Sequence, residues 1–423
     1  MSLKFIKEID FSKALIIAYN IQKSYEHVAF LHSVKANSYS GNKSFLAFGA
    51  SDICADFAAL ESKLSEDADF FDNLWFGYIS YENLRHNYPD INIDLPSYIE
   101  TKESLFFKAA NLIIFDFVAQ NAKFYSDSNT DLIDDDFNNN ILSPSFLIKN
   151  LRANYRRDDY FRKISDIKNL IKEGDFYQLN LTRKIMGEID NYCAFSIFND
   201  LINISPTPYS AFFKLSDLYV ISSSPERFVT IDSKGEINVR PIKGTISSKS
   251  SNSKDNLKDS KKNQAENLMI VDLMRNDLTK VSYANSVKTD SLFDLDSYEY
   301  LHHLSSSISS SKKSSSHFVV KNIFPPGSMT GAPKKIVMEN IARLEAMKRG
   351  IYSGSVGFFA GNGEADFSVV IRTIIIHENR FEFQAGGAIT YDSDSFDEWK
   401  EISVKSKAIC KSLNLDISVI ENL

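Results

Sequence analysis

Arg240-Pro241-Ile242-Lys243-Gly244-Thr245 sets an amine at a Pro/Gly turn, beside backbone N–H groups. A lysine is a nucleophile only as the neutral amine, so chemistry at Lys243 requires desolvation or a neighbouring cation to lower its pKa. A surface lysine in a turn would carry the same residues. Glu226, in Ser224-Pro225-Glu226-Arg227-Phe228, is a candidate partner acid, and a structural pair with Arg227 accounts for it equally well. Glu398, Glu401 and Lys405 stand at i, i+3 and i+7, one stripe of a helical period. Such a stripe is either a solvated face or half of a site. Glu266, in a second helical segment, supplies the other half: two carboxylates, a substrate carboxylate and waters suit Mg2+, a hard cation that prefers oxygen. No His or Cys stands nearby in sequence to favour zinc. Ala385-Gly386-Gly387-Ala388 lets backbone N–H groups approach an anion, and Arg372 can fork to a carboxylate. Pro325 to Lys334 offers the Ser328 and Thr330 hydroxyls at a helix start, an anion cradle that lacks the nucleotide phosphate-loop spacing.

These groups need rigid elements to hold them. Helices are expected over Arg157–Gly174, where Phe161, Ile164, Ile167 and Ile171 recur at helical spacing, and over Gln264–Asp277, with Glu266, Ile270, Leu273 and Asp277 on one side. Pro333–Lys348 and Asp397–Leu413 read as two more. Tyr177–Arg183 alternates as a strand, and Ile351–Phe359, Ala365–His377 and Arg380–Ala385 read as three consecutive antiparallel strands. The apolar runs Phe45–Gly49, Leu74–Ser80 and Leu112–Ala119 predict sheet in the first part. The Asp/Asn/Ser stretch Ser126–Ser145 predicts a boundary, dividing an N-terminal subdomain (1–145) from a catalytic one (150–418). Ser247–Lys262 and the Ser/Lys tract Ser305–Ser316 read as mobile loops.

Composition narrows the partners. An apolar share of 43% and 32 Phe among 423 residues predict a substantial core, and a formal charge of −7 offers no basic surface for nucleic acid. Cys54, Cys193 and Cys410 lie far apart, without zinc-site or disulfide spacing. No signal-peptide core or 18-residue apolar run occurs, so the expected location is the cytoplasm.

Nine segments, in this order, resemble one family: Tyr177-Gln178-Leu179-Asn180-Leu181, Ser224 to Phe228, Arg240 to Thr245, Ala265 to Asp277, His302-His303-Leu304, Pro326 to Lys334, Val370-Ile371-Arg372-Thr373, Gln384 to Gly387, and Glu398 through Glu401 to Lys405. They are similar to the chorismate-utilising enzymes, within these to the branch that makes aminodeoxychorismate. Phe30 to Ser33 and Gly77 to Glu82 match more loosely. The resemblance implies an α+β fold: two large antiparallel β-sheets packed as a sandwich, helices outside, and the N-terminal region interleaved with the rest. It implies Mg2+ held through Glu266 and Glu401, with Glu398 in the metal shell, on the ring carboxylate of chorismate. Tyr352, Arg372 and the Gly386-Gly387-Ala388 turn would take the enolpyruvyl carboxylate. Gly244, Thr245, Ser328, Thr330 and Lys405 would line the same pocket, and His303 would support the leaving hydroxyl.

Two positions separate the relatives. Gln178 stands where water-adding members carry a lysine, so the resemblance implies ammonia as nucleophile; Lys243 stands where anthranilate synthases usually carry alanine. The implied reaction is attack of Lys243 at ring C2 while Glu226 protonates the departing C4 hydroxyl, then attack of ammonia at C4 with expulsion of the lysine. The product, 4-amino-4-deoxychorismate, would lead through a separate lyase to para-aminobenzoate and folate. No Cys sits in a glutaminase elbow, so a separate glutamine amidotransferase subunit is expected to supply the ammonia. The rivals are component I of anthranilate synthase, which would release pyruvate, and a silent binder of chorismate or tryptophan. For a tryptophan pocket Ser33 fits, but Ser210 stands where feedback-regulated anthranilate synthases usually have Met. Ala388 departs from a usual glycine, and Asn263 from a usual acidic residue.

Overall fold

The computed structural model describes residues 2–33, 42–128, 140–247, 257–297 and 301–423. In the strand His27–His32, Val28 and Phe30 enter one apolar cluster while Ala29 and Leu31 enter another. Lys43–Cys54 repeats this, with Leu46 and Phe48 on one face and Phe45 and Ala47 on the other. Successive strand side chains face opposite ways, so a run that is apolar at every position requires cover on both faces.

That cover defines the architecture. A first antiparallel sheet runs in the order Leu147–Ala153, Gln178–Asp190, Arg380–Ile389, Thr373–His377, Leu218–Ser224, Tyr209–Leu215, His27–His32, Lys43–Cys54, Ser104–Asp116, Asn121–Ser126, Lys4–Ile9. The long strand Ser104–Asp116 turns the corner, and from its first half a second run continues: Trp75–Ile79, Ser355–Phe359, Ala365–Val369, Arg227–Ile231, Glu236–Arg240, Leu301–Ser311, the last flanked by Ile242–Ser247 and Lys288–Ser297. One apolar cluster draws Ala47, Phe213 and Val220 from the first run and Phe76, Val356 and Phe358 from the second, and the rings of Phe45 and Phe358 lie 5.2 Å apart. Burial of such a ring stabilises the fold by about 1.5–3 kcal/mol. The helices Ala14–Ser24 and Ala194–Ile204 cover the outside of the first run, and Lys261–Val281 and Ser316–Ile323 that of the second. The fold is α+β, and strands before residue 80 pair with strands beyond residues 208 and 354.

Three expectations need correction. Ala365–His377 is not one strand but two, Ala365–Val369 in the second run and Thr373–His377 in the first. Between them Arg372 takes a left-handed backbone, φ 52°, unusual for a residue with a Cβ. The Ser/Lys tract Ser305–Ser316 is not a loop: it ends the strand Leu301–Ser311 and opens the helix Ser316–Ile323. Its serines are held by polar partners rather than by apolar packing, Ser305 donating to Asp296 (2.6 Å) and Ser306 to Asn267 (2.5 Å). Ile351–Phe359 is a strand only from Ser355. The other expected helices stand as Arg157–Glu173, closed by left-handed Gly174, and as Lys261–Val281, Lys334–Glu345 and Ser395–Ser412. Of the expected loops, 129–139 and 248–256 lie outside the described residues. Among the described residues no helix is long and apolar enough to cross a membrane.

Candidate active site

A cavity of about 510 Å3 opens where the ends of Gln178–Asp190, Ile242–Ser247 and Arg380–Ile389 meet the helices Lys261–Val281 and Ser395–Ser412. Its walls bring together Glu226, Lys243, Gly244, Glu266, His303, Ser328, Tyr352, Arg372, Gly386, Ala388, Glu398, Glu401 and Lys405. Three expected residues do not wall it. Gln178 is buried on the strand that pairs with Ala332, and Asn180, two residues on, reaches the wall instead. The Thr330 hydroxyl turns back to the Gly327 carbonyl (3.1 Å). Gly387 lies just behind the wall, under the acidic residues. The side chain of Thr245 lies outside the described residues.

Lys243 and Glu226 both line this cavity and act on each other electrostatically. Burial holds the Lys243 amine below the ordinary lysine range, against the opposing pull of Glu266. Burial pushes the Glu226 carboxyl up to about 7, opposed by Ser328 and the charge of Lys243. A desolvated amine beside a carboxyl that carries its proton near neutrality forms a nucleophile–acid pair. Gly244 bends the strand at φ 74°, where an added Cβ would strike the Asn263 side chain at 2.9 Å; glycine is required there. His303 is pushed down to about 3, first by burial and then by the charge of Arg372, so its imidazole is neutral.

Much of the same wall is ionic. Lys405 donates to the Gly386 carbonyl (2.7 Å) and pairs with Glu401 (2.5 Å), which it holds below the usual carboxylate range although burial alone would raise it. Burial raises Glu266 and Glu398. Lys262, read above as part of a loop, stands with its Nζ 3.6 Å from Glu398 and 3.9 Å from Glu266. Among the described residues no three His, Cys, Asp or Glu side chains are gathered closely enough to hold a metal alone. Yet Glu266 Oε1 and Glu398 Oε2 are buried without hydrogen-bond partners among the described residues, the condition in which a carboxylate gains most from a cation. These oxygens and Glu401 fit Mg2+ whose remaining ligands come from substrate and water. A Cβ on Gly387 would lie 2.7 Å from Glu398 Oε2 and 3.3 Å from Glu401 Oε1. Gly387→Ala is therefore expected to weaken Mg2+ binding by about tenfold at an unchanged thermal midpoint, read by calorimetric titration.

One residue behind the wall escaped the sequence entirely. Arg349, in Lys348-Arg349-Gly350, has the look of a surface turn, but its side chain is 1% exposed. It pairs in fork geometry with Glu345 (2.7 and 2.8 Å) and donates to the carbonyls of Met329 (2.7 Å) and Asn180 (2.8 Å), while its own carbonyl receives Gln384 (2.7 Å). Asn180, Met329 and Gln384 are all wall residues, so one residue, through its guanidinium and its carbonyl, ties three segments of the cavity together. Arg349→Met would strand the buried Glu345 carboxylate and is expected to cost about 3–5 kcal/mol in urea unfolding. Elsewhere, Ser33 and Ser210, the positions bearing on a tryptophan pocket, line one small separate cavity of about 60 Å3.

Comparison with known proteins bears on this arrangement. The chloroplastic aminodeoxychorismate synthase of Arabidopsis thaliana is 43% identical over 261 residues, 60% of this chain and 28% of that protein. Aminodeoxychorismate synthase component 1 of Salmonella typhimurium is 36% identical over 280 residues, 64% of this chain and 61% of that protein. The matched stretch spans less than two thirds of either relative. In fold the chain resembles anthranilate synthase component I from Streptococcus pneumoniae, with TM-score 0.77 at 23% identity over 89% of this chain and 94% of that one. It also resembles the isochorismate synthase MenF of Escherichia coli, with TM-score 0.79 at 15% identity over 97% and 94%. The family model described as chorismate binding enzyme matches residues 16–411, and the chain belongs to that family.

Proposed function

We propose that this chain replaces the C4 hydroxyl of chorismate with an amino group, giving 4-amino-4-deoxychorismate for para-aminobenzoate and folate. The observation that carries the reading is the presence of Lys243 and Glu226 on the wall of one cavity, each with its pKa moved by burial toward neutrality.

Neutral Lys243 attacks ring C2, both ring double bonds shift, and the C4–O bond breaks as Glu226 delivers its proton to the leaving hydroxyl, which departs as water. The attached amine loses a proton. Ammonia then attacks C4, both double bonds shift back, and Lys243 leaves C2 as an amine that regains a proton. Two allylic displacements replace one direct substitution, and the enolpyruvyl group is untouched. Arg372 and Tyr352 orient the enolpyruvyl carboxylate, with the Gly386 backbone beside them. Mg2+ held by Glu266 and Glu401, with Glu398 alongside, would supply the charge that binds the ring carboxylate. Neutral His303 donates or accepts a hydrogen bond near the leaving hydroxyl without adding charge. Support for amination rather than hydration comes from the resemblance, in which Gln178 stands where water-adding members carry a lysine. Similarity to a protein named component 1 supports a second subunit, a glutamine amidotransferase, as the ammonia source.

The purified chain, with chorismate, Mg2+ and concentrated ammonium salt, is expected to form a product that keeps the enolpyruvyl group and that an added lyase converts to para-aminobenzoate. Fluorescent anthranilate with free pyruvate would overturn the reading in favour of the anthranilate branch; no turnover would point to a binding protein.

A further inference from the structure

We infer that Lys262 is a resident counter-cation of the Glu266–Glu398 cradle, an ammonium that stands between the two carboxylates in the metal-free protein and must swing out before a divalent cation enters. The inference rests on the placement of Mg2+ at Glu266 and Glu401 given above.

Helix energetics alone do not account for this lysine. It is the second residue of Lys261–Val281, after the Ser260 cap, at the end where the helix dipole disfavours a cation. Its partner in the same helix, Glu266, follows it by four residues, the less favourable order for such a pair. What the position does offer is reach across to a second helix. Lys262 Nζ lies 3.6 Å from Glu398 Oε1 and 3.9 Å from Glu266 Oε1, spanning Lys261–Val281 and Ser395–Ser412. Both distances exceed a hydrogen bond, so the ammonium balances charge without being locked to either oxygen. Glu398 Oε1 already accepts from Ser393 (2.8 Å), and among the described residues Glu398 Oε2 and Glu266 Oε1 have no hydrogen-bond partner. The lysine side chain is 52% exposed while the two carboxylates are 3% and 11% exposed, so its charged end has an open path to water and theirs do not.

The consequence is competition. The two carboxylates are compensated while the cradle is empty, and each entering divalent cation displaces a charge already in place, which lowers apparent affinity.

The test uses the full chain without substrate: wild type, Lys262→Met, Lys262→Arg and Glu401→Gln. Mn2+ binding is followed by loss of the free-ion electron paramagnetic resonance signal, and MgCl2 binding by the shift in thermal midpoint. Lys262→Met is expected to bind Mn2+ about tenfold more tightly and to show a larger MgCl2-induced shift than wild type, with Lys262→Arg close to wild type. Equal responses in wild type and Lys262→Met, absent responses included, overturn the inference, as does weaker binding by Lys262→Met. Equal Mn2+ binding by wild type and Glu401→Gln overturns instead the cation site itself.

Discussion

Lys243→Ala is expected to lower turnover of chorismate with ammonia by at least about 10^3-fold, because both displacements pass through its amine. Substrate binding should change little. The carboxylate contacts come from Arg372, Tyr352 and the Gly386 backbone in other segments of the chain, so the loss should fall on kcat with KM held. Lys243→Arg should fail almost as fully, since a guanidinium stays protonated and cannot attack carbon. Intact-mass spectra of the wild-type chain quenched during turnover at limiting ammonia should show a species heavier by chorismate less one water, absent from Lys243→Ala. Lys243→Ala with full activity, and no adduct on the wild type, would remove the covalent step.

Local periodicity exposes much of this site. Glu398, Glu401 and Lys405 fall on one helical stripe, and all three face the cavity while Trp399 and Ile402, on its flank, are buried in the apolar cluster beneath. Glu266 is similarly placed by the apolar spacing of Ile270 and Val271. What periodicity conceals is a change of partner within a uniform run. Val369-Val370-Ile371-Arg372-Thr373-Ile374 is β-branched almost throughout, and such a run reads as one strand. Only the pairing of its halves with Arg227–Ile231 and with Leu218–Ser224 makes the break that turns Arg372 into the cavity. Leu301–Ser311 fails for the opposite reason: serine has little strand preference, and the strand is held by its Asp296 and Asn267 hydrogen bonds, supplied from elsewhere in the chain. Arg349 and Lys262 share a third difficulty, since each belongs to a basic pair whose solvated reading is the usual one. Their partners, Glu345 within the same segment and Glu398 from a distant helix, decide the matter only in three dimensions.

Glu226→Gln should separate the acid from the nucleophile. As general acid, Glu226 must hold its proton to release the C4 hydroxyl. With its carboxyl pushed up to about 7 by burial, kcat/KM should descend as pH rises through about 7. Lys243 acts in the other sense: it must be neutral, so its lowered pKa sets a limb that rises with pH, and the wild-type profile should be a bell with limbs that belong to the coupled pair. Glutamine keeps the shape and hydrogen-bonding reach of the carboxyl but has no proton to give. Glu226→Gln should therefore lose about 10^2–10^4-fold in kcat and lose the descending limb, while Glu226→Asp keeps that limb at reduced rate. The Lys243 adduct should also accumulate more slowly in Glu226→Gln, because its formation requires the hydroxyl to leave. If Glu226→Gln keeps the wild-type bell, the proton comes from another group, and neutral His303, held at about 3, is too weak a base to carry it near neutrality.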